Sequence, residues 1–168
     1  LDGQVHCEGG ASGKRSLPVD GFIEGLYATV LEKGELVTSV SFALPAGSSG
    51  GAYCVFKRCA PAYPTSSVAV QLTLDGGDCK DARIALGASG LTVIHATAAE
   101  AELRGKGLSD KVIQRAAEAA VAAADPVEDQ RGPPEYKRFL LNSLVLRAIA
   151  IARRRCAGER VENSHEYF

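Results

Sequence analysis

The stretch from Val68 to Leu86 constrains the fold most, because two alternating apolar runs flank Asp75-Gly76-Gly77-Asp78. Alternation with a period of two buries one face of a strand, and paired glycines supply the positive φ angles of a tight turn. Residues 68–74 and 82–86 therefore form an antiparallel hairpin. Upstream, Leu36, Val40, Phe42 and Leu44 fall on one parity, which predicts a half-buried strand over 36–44, ended by Pro45. The apolar run 52–56 predicts another strand. It is entered through the small residues of 45–51, read as a flexible loop, and left through 60–66, whose Pro61 and Pro64 cannot sit in a central strand.

Beyond Gly87 and Gly90 the period changes to that of a helix. Ala96, Ala99 and Leu103 share one helical face, and Gly105 and Gly107 stop the segment. Ser109 is placed to cap a second helix reaching Ala124, rich in alanine and ended by Pro126. Pro134 suits the first turn of a third helix running to about Arg155, with Leu140, Leu144, Ala148 and Ile151 as its buried stripe. Strands first and helices afterwards predict an α+β fold, a small antiparallel β-sheet of three to four strands packed on about three helices. Residues 1–21, with Gly9, Gly10, Gly13 and Gly21, read as a linker or the trailing edge of a preceding domain, and 22–31 as a short helical turn. The expected organisation is a linker over 1–30, the α+β domain over 31–157 and a tail over 158–168.

Charge and composition narrow the function. Nineteen Lys and Arg against twenty Asp and Glu give a formal net charge of −1, without the positive excess that contact with a phosphate backbone requires, so no nucleic acid is expected. The densest apolar run, 139–152, is broken by Asn142, Ser143 and Arg147, which argues against a membrane span. Five cysteines, with no C-x-x-C pair, read as free thiols in a reducing cytosol, which predicts a cytoplasmic location. His6, His95 and His165 are scattered, so no metal site is expected. The chain starts at Leu1 and contains no methionine, which suggests a processed chain or a fragment of something longer.

Few motifs carry chemistry. The glycine clusters at 9–13 and 47–51 lack the G-x-x-x-x-G-K-[ST] pattern of a phosphate cradle, and Ser49-Gly50-Gly51 is not a nucleophile elbow. Cys59 stands beside Lys57 and Arg58, cations that lower a thiol's pKa, although most free cysteines act as small apolar residues. Arg153-Arg154-Arg155 reads as a solvated helix end favoured by the dipole, and His95 as a capping or surface residue. Tyr53 and Lys57 are the candidate site residues. Four positions apart on one strand parity, they make a hydrogen-bonding wall for a planar polar ligand, although such a pair also occurs on solvated sheet faces.

Around these residues the chain resembles the carboxyl-terminal domain of the FAD-binding medium subunit of molybdenum hydroxylases, the group of carbon monoxide dehydrogenase and xanthine dehydrogenase. The resemblance rests on Tyr53-Cys54-Val55-Phe56-Lys57-Arg58, Ser67-Val68-Ala69-Val70 and Ala82-Arg83-Ile84-Ala85-Leu86-Gly87 in order. They are followed by His95-Ala96, Ala99-Glu100, Leu103-Arg104-Gly105, Asp129-Gln130-Arg131-Gly132, Glu135-Tyr136-Lys137-Arg138, and Leu144 with Arg147-Ala148. Upstream, Arg15-Ser16-Leu17-Pro18 and 31–37 resemble the tail of the preceding flavin domain and the entry to this one.

The resemblance implies an α+β domain bordering the flavin ring, with FAD held mostly by an amino-terminal domain absent from this chain. It implies a heteromultimeric oxidoreductase whose large subunit carries the molybdenum cofactor and whose small iron–sulfur subunit carries 2Fe–2S clusters. Electrons leave through the flavin to an external acceptor. It places Tyr53 and Lys57 at the flavin border, with loop 59–66 as a contact or gating segment, and assigns this chain no catalytic residue. Glu100 and Arg104 are structural under this reading, as is a local network of Asp129, Arg131 and Arg138. An assembly module that only holds subunits together is the alternative, and an unrelated small cytosolic enzyme or binding protein is a third.

Overall fold

In the computed structural model, which describes residues 2–45, 47–59 and 61–162, the hairpin joins two ten-residue strands, Ser66–Asp75 and Asp78–Gly87. Gly76 and Gly77 close it at φ values of 59° and 99° between the paired Asp75 and Asp78. The other strands are β1 (Gly3–Gly9), β2 (Gly13–Pro18), β3 (Ile23–Gly25), β4 (Ala28–Thr29), β5 (Glu35–Phe42), β6 (Ser48–Phe56) and β9 (Ile94–His95), so the hairpin strands are β7 and β8. The helices are α1 (Thr97–Leu103), α2 (Asp110–Ala123) and α3 (Pro134–Cys156). None is long and apolar enough to cross a membrane.

The chain divides into two units, 1–45 and 46–168. In the second, antiparallel strands in the order β6-β7-β8-β9 form one sheet. Its inward parity, Ala52 and Cys54, Val68, Val70 and Leu72, then Ala82, Ile84 and Leu86, is buried under the helices. Helix α3 packs across β6 and β7, and α1 against β8. Burying Leu72, Ile84 or Leu86 stabilises the fold by roughly 1.5–3 kcal/mol each relative to exposure. The buried face of α2 is Val112, Ile113, Ala116, Ala117 and Ala120, mostly small side chains that let neighbouring elements approach closely. The α+β class and the strand-then-helix order are as the sequence predicts.

Several local expectations fail. The expected linker 1–21 contains β1 and β2, which with β5 make an antiparallel sheet in the order β2-β1-β5. Val5 and Cys7 supply its buried parity, a two-residue alternation too short to stand out among glycines and charges. Segment 22–31 is the short β3–β4 ribbon rather than a helical turn. Strand β5 forms as expected but is not half-buried. Only Glu35 is buried, while Leu36, Val40 and Phe42 are exposed. Glu35 accepts hydrogen bonds from Arg15 Nε and Nη2 at 2.6 and 2.7 Å and from the Glu32 amide at 2.7 Å, so its carboxylate is held below the usual range.

Residues 48–51 are strand, not flexible loop. Gly50 lies so close to α3 that a Cβ there would stand 2.3 Å from the Ala152 carbonyl oxygen and 2.7 Å from the Cys156 nitrogen. Gly50 admits the helix rather than loosening the chain. Along α3 the buried set is Lys137, Leu141, Val145, Ala148, Ile149, Ala152 and Cys156, which keeps Ala148 of the predicted stripe and otherwise lies one residue away from it. Leu140, Leu144 and Ile151 are only partly covered. Ser109 stands at the N-cap position of α2, but its side chain makes no capping hydrogen bond.

The five cysteines are free, with Cys59 exposed and the rest buried. Burial pushes the Cys79 thiol up to about 11, which keeps it protonated. The tail expected over 158–168 and His165 lie partly or wholly outside the described residues.

Candidate functional site

Strand β6 is an edge of its sheet, and its two parities have different fates. Ala52 and Cys54 point to the helices, whereas Tyr53 and Val55 lie on the outward face. Tyr53 is 54% exposed opposite Ala69, a side chain too small to cover its ring. Lys57 continues the same parity one residue past the strand and is half-buried. A four-residue step along a strand covers about 13 Å, so the two groups mark opposite ends of a surface rather than one point. Among the described residues neither the Tyr53 hydroxyl nor the Lys57 ammonium has a hydrogen-bond or ion-pair partner.

After Lys57 the chain leaves the sheet and returns at Ser66, with the Thr65 amide donating to the Phe56 carbonyl at 2.9 Å to close the loop base. Facing this loop base across an open groove of about 460 Å³ is the segment that leads into α3. Lys57 and Arg58 line one wall, and Arg131, Gly132 and Tyr136 the other. Gly132 has φ of 132°, and a Cβ there would meet the Tyr136 ring at 2.7 Å, so only glycine lets that ring lie against the backbone. Asp129 anchors the second wall. It pairs with Lys137 Nζ at 2.9 Å and Arg131 Nη1 at 3.1 Å, and accepts the Arg131 amide at 2.8 Å. Those bonds, led by Lys137, hold its carboxyl down at about 2. Lys137, only 4% exposed, also donates to the Val127 carbonyl at 2.6 Å. The predicted network therefore exists with a different membership, in which the buried Lys137 takes the place expected of Arg138.

Glu100 is structural in this geometry. Buried to 1%, its carboxylate accepts the Ile84 amide at 2.8 Å, His95 Nε2 at 2.7 Å and Arg104 Nη2 at 2.5 Å, fastening α1 to β8. His95 is a carboxylate partner rather than a cap. The arginine run is not simply solvated either. Arg153 donates to the Leu108 carbonyl at 3.0 Å, and Arg155 to those of Gly51 at 2.5 Å and Val161 at 2.7 Å, while Arg154 pairs with Glu159.

Sequence reasoning singled out Tyr53 and Lys57 but missed the wall opposite Lys57. More than seventy positions separate Lys57 from Arg131, and only the crossing of α3 over β6 brings them to one groove. Gly132, followed by the aromatic Tyr136 four positions on, was the local signal the sequence offered.

Residues 51–152 match the model of a family described as the CO dehydrogenase flavoprotein C-terminal domain. The carbon monoxide dehydrogenase medium chain of Hydrogenophaga pseudoflava is 34% identical over 148 residues, covering 88% of this chain and 52% of that relative. The nicotine 6-hydroxylase medium subunit of Paenarthrobacter nicotinovorans is 30% identical over 152 residues, covering 90% and 53% respectively. Among solved structures, the carbon monoxide dehydrogenase of Hydrogenophaga pseudoflava lacking the Mo-pyranopterin moiety superposes with a TM-score of 0.89 at 36% identity, over 93% of this chain and 54% of that one. The chain thus spans about half the length of the relatives it matches.

Proposed function

Because this chain belongs to the CO dehydrogenase flavoprotein C-terminal domain family, we propose that it is the carboxyl-terminal part of the flavoprotein medium subunit of a molybdenum-containing hydroxylase. It borders the isoalloxazine of FAD through Tyr53 and Lys57. The observation that carries this reading is the pair itself, a phenol on the outward face of β6 and an ammonium one residue past its end, unpaired among the described residues. A polar ring edge fits such groups, since both donate hydrogen bonds and one is cationic. FAD, where bound, accepts electrons and passes them on.

The chain's own groups bind and tune rather than perform a chemical step. The Tyr53 hydroxyl orients the ring edge, and the Lys57 cation favours the negative charge that grows on reduction. Most of the dinucleotide is held by an amino-terminal FAD-binding domain. In the assembled enzyme this chain works beside a large molybdenum subunit and a small subunit with 2Fe–2S clusters, and it supports electron transfer from those clusters through FAD to an external acceptor.

Co-expression with the amino-terminal domain is expected to give a yellow complex, in which Tyr53→Phe and Lys57→Ala alter the rates of flavin reduction and reoxidation. A colourless mixture of two folded pieces contradicts the reading. Unchanged rates in both variants would leave the domain a role in subunit assembly alone.

A further inference from the structure

We propose that the open edge of β6 is the docking site of the chain's own residues 163–168, which add to the four-stranded sheet as a parallel fifth strand. The inference concerns the backbone edge of the sheet and does not depend on the flavin-border reading.

The two edges of this sheet differ. On one side β8 is closed by β9 and by the chain around α1, with the Ala96 amide donating to the Ile84 carbonyl at 2.9 Å, the Cys79 amide to the Lys106 carbonyl at 2.9 Å and the Gly105 amide to the Cys79 carbonyl at 2.8 Å. On the other side, among the described residues, no strand covers β6. Its nine residues, Ser48–Phe56, pair with β7 in unbroken register and include no proline, no charge and no bulge, so the usual protections of an exposed edge are missing. Arg155 Nη1 reaches the Gly51 carbonyl, which therefore faces away from the ladder. Antiparallel pairing alternates, so the amides and carbonyls of Tyr53 and Val55 face the same way. Among the described residues nothing beyond the ladder bonds them. A row of such amides and carbonyls is a template for one more strand.

The chain itself delivers the occupant. Helix α3 runs antiparallel to β6, its last turn against Gly50 and its start beside the loop after Phe56. It therefore ends at the Ser48 end of the edge, where Gly158 turns the chain at a φ of 81°. Arg155 then binds two carbonyls with one guanidinium, Gly51 through Nη1 at 2.5 Å and Val161 through Nη2 at 2.7 Å, which sets residue 161 beside the edge. The seven residues after Val161 in the sequence span roughly 23 Å when extended, more than the roughly 17 Å from Gly51 to Phe56. None of them is proline or glycine. Placing Val161 beside Gly51 puts Glu162 and Glu166 on the helix side of the new strand, and Asn163 and His165 on the outer side. On the helix side, Arg147 and Arg155 lie close enough to Cys54 to oppose the burial that raises its thiol. The two carboxylates thus meet cations, and the pairing of Glu162 with Arg160 at 3.9 Å is almost fully exposed and easily exchanged. A strand added in the plane of the sheet leaves the Tyr53 ring uncovered on the outward face.

Hydrogen–deuterium exchange of the native protein containing this chain, read at single residues, compares the full sequence with a chain stopped after Glu162. The truncation keeps Val161 and its bond to Arg155, so α3 is undisturbed. In the expected result the Tyr53 and Val55 amides exchange at least about 10-fold faster in the truncated chain, while those of Ala52 and Cys54, which face β7, exchange as before. A peptide of residues 161–168 added to the truncated protein slows the two amides again, and the same peptide carrying E162K and E166K does not. Equal exchange of Tyr53 and Val55 in both chains, whether slow or fast, overturns the proposal. Equal protection by the two peptides overturns the placement of the glutamates against α3.

Discussion

Replacing Gly50 with alanine tests the packing that holds the sheet and α3 together. The new methyl would stand 2.3 Å from the Ala152 carbonyl oxygen, 2.7 Å from the Cys156 nitrogen and 2.8 Å from Arg155 Cβ. Two of these atoms are backbone in the last turn of a long helix, so no side-chain rotation can clear them. Separations below 3.0 Å are essentially never tolerated, and α3 must therefore retreat by at least about 0.7 Å along this line. Overpacking of this kind costs about 1–3 kcal/mol. The retreat also stretches two hydrogen bonds at the same crossing, from Ser48 Oγ to the Cys156 carbonyl and from Arg155 to the Gly51 carbonyl, at about 1 kcal/mol each. The total expected loss is about 3–5 kcal/mol, or a fall in Tm of roughly 6–20 °C for a domain of this size. Urea unfolding followed by circular dichroism should show a lower midpoint at unchanged slope. A loss below about 0.5 kcal/mol would refute the reasoning, because it would mean that β6 and α3 are not in contact at Gly50.

Two further perturbations probe the polar anchors. Glu100→Ala strands the buried Ile84 amide and releases the partly exposed His95 and Arg104, so urea unfolding should report a loss of about 2–4 kcal/mol, with Glu100→Gln losing less because it keeps an acceptor. The Asp129 carboxyl, depressed from 3.8 to about 2 in the folded chain, stabilises the fold fully above the higher value and progressively less as pH falls toward the lower. Thermal melts between pH 5 and about pH 2 should therefore show a steeper acid decline for the unchanged chain than for Asp129→Asn.

The parts of the fold legible in the sequence were those with local periodicity. The β7–β8 hairpin announced itself by alternation on both sides of two glycines, and α1 to α3 by helical spacing and their proline and glycine stops. Elements stabilised by distant partners were not legible. Residues 48–51 looked like a loop because glycine there serves α3, about one hundred positions away, and β1 looked like a linker because its partners are β2 and β5. The stripe of α3 was misplaced by one residue because leucines are abundant around the helix, and only contact with β6 and β7 selects Leu141, Val145 and Ile149 over their neighbours. At the site, strand parity put Tyr53 on the outward face of β6, and Lys57 follows one residue past the end of the strand. The opposite wall was hidden because the predicted network of Asp129, Arg131 and Arg138 was read as local and structural, and nothing in the sequence placed it, or its buried partner Lys137, across from Lys57.

The most direct test of the central claim is the flavin reduction potential of the assembled protein, compared between the unchanged chain and Lys57→Ala. A cation near the ring edge, interacting through solvent at about 1 kcal/mol, raises a two-electron potential by on the order of 20 mV, so the variant's potential should fall by about that amount. The same potential in both proteins, with flavin fully bound, would contradict a role for Lys57 at the flavin border.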